Sequence, residues 1–258
     1  MEKAQNIIDF LNRKVTEYNQ PRFIADDPVS VPHRFSKKAD IEIAAFFAAV
    51  FAWGNRTTII NKSNELMRRM DDAPHAFVLN HSEKEARSLL DFRHRTFNTT
   101  DLLYFIEFLN WHYSRHESLE DAFLKGMLPG DQDTENALNG FYQHFFSLEH
   151  VPDRTRKHIA APFKKSTCKR LNMFLRWMVR KDNCGVDFGI WEKIGASRLI
   201  CPVDVHVARV TRRFGLLKRE AVDWQAAVEL TTWLRKLDPA DPVKYDFALF
   251  ALGVVEKY

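Results

Sequence analysis

Two residues in this sequence have side chains suited to covalent chemistry. Lys169 opens the segment "CKRLNMFL", and Lys164, Lys165 and Arg170 lie close to it in sequence. Crowded cations lower a lysine's pKa and favour its neutral amine, the form that acts as a nucleophile. Asp204 stands in "CPVDVHVARVTRRFGL", behind Pro202 and among valines, in front of Arg209, Arg212 and Arg213. A carboxylate there can cap a helix, since its oxygen can accept from free backbone N–H groups. It can also stabilise a positive charge that develops in a reaction, or move protons for a neighbouring group. Both uses stay open at this point.

Helices must position these residues. Leu171, Phe174, Leu175 and Met178 recur at helical spacing, with Lys169, Arg176 and Arg180 expected on the opposite, cationic face. The valines around Asp204 could pass for a strand. With Asp204 as N-cap, however, Val207, Val210 and Phe214 share one helical face and Gly215 suits the position after the helix. Further helices are predicted over 2–19, over 41–53 with Asp40 as N-cap, and over 57–70, 86–92 and 101–116. Two late helices are predicted after Asp223 and after Asp241-Pro242. The segment 126–140 reads as a turn-rich join between helical segments. Only 9 glycines in 258 residues, with long runs between breakers, argue for an all-α fold over a strand-and-turn one.

With 45% apolar and 28% charged residues, the composition is that of an ordinary globular protein large enough for a substantial core. The amphipathic, charged start "MEKAQNIIDFLNRK" does not read as a signal peptide. The longest apolar run, "IAAFFAAVFAW", is too short to span a membrane and reads as a buried helix. The three cysteines, Cys168, Cys184 and Cys201, lack ligand spacing and fit reduced thiols in a cytoplasmic protein. No internal repeat is visible.

Charge is distributed unevenly. Between Arg154 and Lys181 there are ten Lys or Arg and no acid, in a chain of net charge +4, so the rest is net acidic. Such a block is the footprint expected of a polyanion-binding surface, although most charge runs are simply solvated helix faces.

The two segments also carry a resemblance. "VDVHVARVTRRFGL" resembles the signature V-D-T-H-V-x-R-V-x-x-R-L-G-L of the helix-hairpin-helix DNA glycosylases, the endonuclease III superfamily. "CKRLNMFL" resembles R-K-T-A-N-V-V-L of the same superfamily, with Lys169 on the Schiff-base lysine and Asn172 on the asparagine. "DIEIAAFFAAVFAWGNRTTIINKSNELM" and "YDFALFALG" resemble an early core helix with its successor and a late helix, so the likeness covers roughly 40–258. Within the superfamily the chain looks most like a bacterial family of unknown function. The 35-residue separation of Lys169 and Asp204 and the lack of a four-cysteine cluster loop are features like those of the archaeal 8-oxoguanine glycosylases. Other departures are the absent L-P-G-V-G hairpin, replaced by "APFKKST", and Gly54 where the family has a glutamine wedge.

The resemblance implies a two-lobed helical unit spanning 1–258, one lobe about 40–182 and the other 1–39 plus 183–258, with a cleft between them. It implies a DNA glycosylase, with AP lyase activity, that excises oxidised bases from damaged double-stranded DNA without a cofactor. The target nucleotide leaves the stack; Lys169 attacks C1′ and forms an imine, and Asp204 steadies the developing positive charge. Lys164, Lys165, Arg170, Arg176, Arg209, Asn55 and Arg56 are the expected DNA contacts. Trp53 and Trp191 could stack on a flipped base, or belong to the core. His112 and His116 have the spacing of a metal pair but no third ligand is evident, so no metal is expected. Two other functions compete: a non-catalytic nucleic-acid-binding protein retaining the glycosylase fold, and a helical interaction protein whose basic block meets an acidic partner.

Overall fold

The computed structural model describes residues 2–256 and 258. Among the described residues the chain is all-helical, with no strand and one isolated antiparallel bridge between His94 and Phe97. The α-helices are α1 (Glu2–Tyr18), α2 (Lys38–Phe51), α3 (Arg56–Arg69), α4 (Pro74–Asn80), α5 (Glu83–Arg87), α6 (Thr99–Tyr113), α7 (Glu120–Leu124), α8 (Glu135–Phe145), α9 (Lys169–Val179), α10 (Val205–Arg213), α11 (Trp224–Leu237) and α12 (Asp246–Phe250). No helix among the described residues is long and apolar enough to cross a membrane.

Two compact units are present. The first comprises Met1–Phe23, Leu128–Asn136 and Ala161–Tyr258; the second comprises Ile24–Met127 and Ala137–Ala160. This division by contacts differs from the lobes implied by the resemblance, and it puts Lys169 and Asp204 in the same unit.

The second unit is built on α2. Every α2 residue from Asp40 to Phe51 is buried, as expected of a helix that is apolar nearly all round. Its Phe46 stacks on Phe105 at 5.6 Å and meets Phe141 edge-on, while Phe51 packs against Phe92 and Phe97. The one acid in the middle of α2, Glu42, is fully buried and accepts from the Tyr113 hydroxyl, the Ser118 hydroxyl and the Leu119 N–H. A buried carboxylate is tolerated only when its lone pairs are met in this way.

Several helix boundaries differ from expectation, each for a local reason. Helix α2 begins at Lys38, so Asp40 lies in its first turn and does not cap it. The Asp40 carboxylate instead accepts from the N–H of His75 at 2.9 Å, which gives α4 the cap that Ala73 cannot supply. Helix α5 starts earlier than Ala86 because Ser82 and Glu85 form a capping box, and it ends at Arg87 where 86–92 was expected to be helical. Helix α6 is set by the same device, with Asn98 and Asp101. The pattern expected around Asp223 is present: its carboxylate accepts from Ala226 N–H and opens α11.

Candidate functional site

The site lies in the first unit, where α9, α10 and α12 meet. Helix α9 begins at Lys169 through an irregular turn. Lys165 and Cys168 both adopt the left-handed conformation, with φ of 60° and 52°. The Ser166 hydroxyl accepts from Cys168 N–H and the Thr167 hydroxyl from Lys169 N–H, which answers the free donors at the helix start. Asn172 ties the turn down from inside, its Nδ2 donating to the Thr167 carbonyl at 3.0 Å. The Cys168 thiol is buried, and burial pushes it up to about 12, so it is an inert filler and not a second nucleophile. Leu171, Phe174, Leu175 and Met178 are buried, as their spacing predicts.

Asp204 is the N-cap of α10, in an extended conformation. Its Oδ1 accepts from the N–H groups of His206 and Val207, both at 2.9 Å. Its Oδ2 accepts from Lys169 Nζ at 2.7 Å. The capping role and the pairing role therefore coexist on separate oxygens of one carboxylate. Burial pushes the Asp204 carboxyl up, but the Lys169 ammonium and the backbone N–H donors outweigh it and hold the group below the usual carboxylate range. The side chains keep 28% and 19% of their surface open, so solvent and a small reacting group can reach the pair.

The first turn of α10 is fixed from behind. Helix α12 continues into a π-helical turn, Ala251–Val255, in which Gly253 lies against the backbone of His206. A Cβ at 253 would sit 3.2 Å from His206 carbonyl atoms, so glycine permits this approach. Arg209 of α10 donates to the Gly253 carbonyl at 2.9 Å and closes the same contact. Phe250, at the end of α12, presents its ring to Lys169 Nζ at 5.8 Å.

The expected cationic face of α9 exists, but most of it points inward. Arg176 is buried; its Nε donates to Asp187 at 3.2 Å and its Nη1 to Asp246, with the guanidinium 4.3 Å from the Phe247 ring centre. Arg180 is buried too and meets Asp182, Asp187 and Asp241. The carboxylate of Asp241 is committed to Arg180 and caps no helix. Arg176 is therefore corrected from a DNA contact to a structural cation, since no buried, doubly paired guanidinium can be offered to a phosphate. Two of the acids around these arginines, Asp182 on Arg180 and Asp187 on both, come from the long segment that separates Lys169 from Asp204. That segment folds back on α9: Phe188 N–H donates to Trp177 O and Trp191 N–H to Met178 O. Gly189, at φ 57°, passes so close to Lys181 that a Cβ would fall 2.8 Å from its Cα.

The remaining candidates sort by environment. Trp191 is buried edge-on against Phe174 at 5.3 Å, so it belongs to the core and not to a base pocket. Trp53, in the second unit, is half-buried, with the Arg95 guanidinium 4.5 Å over its ring. Asn55 caps α3, its Oδ1 accepting from Thr58 N–H, and Arg56 follows as the first helical residue. Lys164 and Lys165 are exposed, whereas Arg170 is half-buried and burial pulls its guanidinium down to about 10. His112 is buried, with Nε2 bonded to the Ser118 carbonyl and its ring stacked on His116 at 4.8 Å; burial lowers it to about 4. Among the described residues no group of three or more His, Cys, Asp or Glu is placed to hold a metal ion. All three cysteines are free.

Sequence reasoning missed Asp187 and Asp246, the buried carboxylates that hold α9 in place. One signal pointed to them: arginines at positions 176 and 180, adjacent to an apolar stripe, need acids from elsewhere in the chain.

Residues 27–255 match the family described as a protein of unknown function (DUF2400), and the chain belongs to that family. No curated protein and no solved structure matches.

Proposed function

We propose that this chain is a DNA glycosylase with AP lyase activity, of the all-α helix-hairpin-helix type, acting on oxidised bases in double-stranded DNA in the cytoplasm. The observation that carries this is the 2.7 Å contact between Lys169 and Asp204, partly open to solvent at the starts of two helices whose sequences resemble the lysine and aspartate motifs of those enzymes.

The pair supplies what the reaction needs. A resting Lys169 ammonium has no lone pair to give, and Asp204 Oδ2 is the base in contact with it. Once the proton is transferred, the Lys169 lone pair forms a bond to sugar C1′. The bond from C1′ to the base nitrogen breaks, and its electron pair leaves on the base, which takes up a proton. Loss of the ring oxygen from C1′ then gives the imine, and a proton lost from C2′ allows β-elimination of the 3′ phosphate. Asp204 hands the proton it took from Lys169 to the departing base; ionised again, a form its two backbone donors favour, it steadies the positive charge of the iminium that follows. Lys164 and Lys165 are exposed in the turn that leads into Lys169 and would neutralise backbone phosphates in this reading.

Single-turnover incubation with a panel of duplexes, each carrying one oxidised base, tests this. Release of the base and strand scission at that position are expected from at least one duplex. Tight, salt-dependent binding with neither product from any duplex would leave the non-catalytic nucleic-acid-binding role instead.

A further inference from the structure

The turn that leads into Lys169 carries an exposed ring. Phe163 is 55% exposed, and Lys164 and Lys165, which follow it, are exposed as well. The turn itself is anchored. Ala161 and Pro162 are buried, Lys164 N–H donates to the Ala161 carbonyl at 3.1 Å, and Lys165 N–H donates to the Pro162 carbonyl at 2.7 Å. Lys165 and Cys168 hold left-handed backbone, which persists in non-glycine residues only where the surroundings enforce it. The place of the ring is thus fixed relative to Lys169, six residues on. Across the Lys169–Asp204 contact, Val205 in the first turn of α10 is 66% exposed. Exposed apolar side chains therefore lie close in sequence to both members of the pair.

A single exposed apolar residue needs no explanation, and Leu128 in the same unit shows the contrast. It is 59% exposed, but its turn holds Asp133 and Asp131, whose carboxylate accepts from Leu128 N–H at 2.8 Å. Phe163 instead precedes two exposed cations. A ring interleaved with lysines suits a polyanion whose units carry flat apolar faces, which is a nucleic acid. One ring on a three-residue turn offers too little apolar area to hold a lipid surface. In a continuous duplex the faces of the bases are covered by their neighbours, so a ring reaches one only where the stack is interrupted. We propose that Phe163 stacks on a nucleobase exposed at an interruption in the DNA, with Lys164 and Lys165 on the flanking phosphates. This rests on the reading of the chain as a protein that acts on damaged DNA, but not on Lys169 being the nucleophile. Phe163 determines which DNA is held and takes no part in bond making or breaking.

Binding of the full chain to two fluorescent duplexes of one sequence, one intact and one with a stable tetrahydrofuran abasic site, tests this at several salt concentrations. Phe163→Ala is expected to weaken binding to the abasic duplex roughly 5- to 150-fold, the effect of taking one aromatic ring off a base, with the log–log salt slope unchanged because stacking releases no counterions. Its binding to the intact duplex should stay within about twofold, since the base faces there are covered. Phe163→Tyr should keep the native affinity for both duplexes, Phe163→Leu should lose most of what Phe163→Ala loses, and Leu128→Ala should lose nothing. An unchanged affinity in Phe163→Ala, an equal loss on both duplexes, or a loss accompanied by a shallower slope overturns the proposal; the last would mean that the ring only holds the two lysines in place. Attachment of the native chain to vesicles of phosphatidylcholine and phosphatidylserine that Phe163→Ala abolishes, with DNA binding unchanged, overturns it in favour of a membrane. If Phe163→Ala does not fold, Phe163→Leu carries the comparison, and a native preference for the abasic duplex in that variant is the contradicting result. No binding of the native chain to either duplex at low salt would remove the DNA reading and this proposal together, whereas native binding untouched by Phe163→Ala would remove this proposal alone.

Discussion

The two ends of α9 carry the same kind of contact in opposite settings. At its start Lys169 meets one carboxylate, Asp204, with both side chains partly open to water. Two turns later Arg176 and Arg180 are closed off and share four carboxylates, Asp182, Asp187, Asp241 and Asp246. Each buried arginine has several partners, and so the cost of desolvating it is met by more than one contact. Lys169 is paired with Asp204 and keeps an exposed approach. A cation that must be released to react needs a weak, reachable partnership, and one that must hold a fold needs the reverse. The difference is what the proposed function builds on: chemistry at one end of the stripe, structure at the other.

The largest expected effect lies at the structural end. Arg176→Ala leaves Asp187 and Asp246 buried without their shared partner, so it should destabilise the protein by about 3–5 kcal/mol. Lys169→Ala removes a partly exposed pair and should cost no more than about 1 kcal/mol. Urea unfolding of both variants checks this, and equal losses would erase the distinction between the two ends.

Asp204→Asn should reverse the pattern. Asparagine still accepts the capping bonds, so stability should stay within about 1 kcal/mol. Base release should fall by about 10²–10³-fold, because the charge facing the transition state is gone. Melting temperature and single-turnover rate measured on the same preparation separate the two roles. A lost cap with intact turnover would make Asp204 structural.

The two acids should also respond oppositely to pH. The Asp246 carboxyl is raised from 3.8 to about 6 in the folded state. Its contribution is therefore fully present below the unfolded value and is lost as pH rises through about 6. Asp204 is depressed, so its contribution is present above the unfolded value and is lost as pH falls through the folded one. Asp246→Asn should thus remove a decline in stability, on the order of 2 kcal/mol, between about pH 4 and 6. Denaturation midpoints across that range would show it, and a decline kept in the variant would have to come from another group.

Much of this was legible in the sequence, and the failures share one cause. The apolar spacing of α9 and the capping of α10 by Asp204 follow from local pattern. Part of the basic block is paired with acids that are distant in sequence. Arg154 pairs with Asp101, Lys169 with Asp204, and Arg176 with Asp187 and Asp246. A run without acids looks uncompensated along the chain, yet Arg154, Arg156, Lys169, Arg176 and Arg180 all meet carboxylates in space. Asp40 and Asp241 failed as caps for the same reason, each carboxylate being claimed by a partner more than thirty residues away. Trp191 carries no positional signal that separates a stacking ring from a core ring.

The smallest expected effect concerns the exposed cations. If Lys164 and Lys165 each neutralise one phosphate, replacing both with Gln should reduce the log–log salt slope of duplex binding by about 1.8. Substitution at buried Arg180 should leave the slope of any folded variant unchanged. Titration at several salt concentrations distinguishes them, and an equal change in both would mean that the inward and outward cations have been confused.

The most direct test is borohydride trapping on a duplex that contains an abasic site or an excisable oxidised base, followed by peptide mapping of the adduct. If the open end of α9 is the reactive end, one protein–DNA adduct should form and map to Lys169. Lys169→Gln should abolish it while duplex affinity stays within a few-fold. An adduct that persists in Lys169→Gln, or that maps to Lys164 or Lys165, would contradict the assignment of Lys169 as the nucleophile.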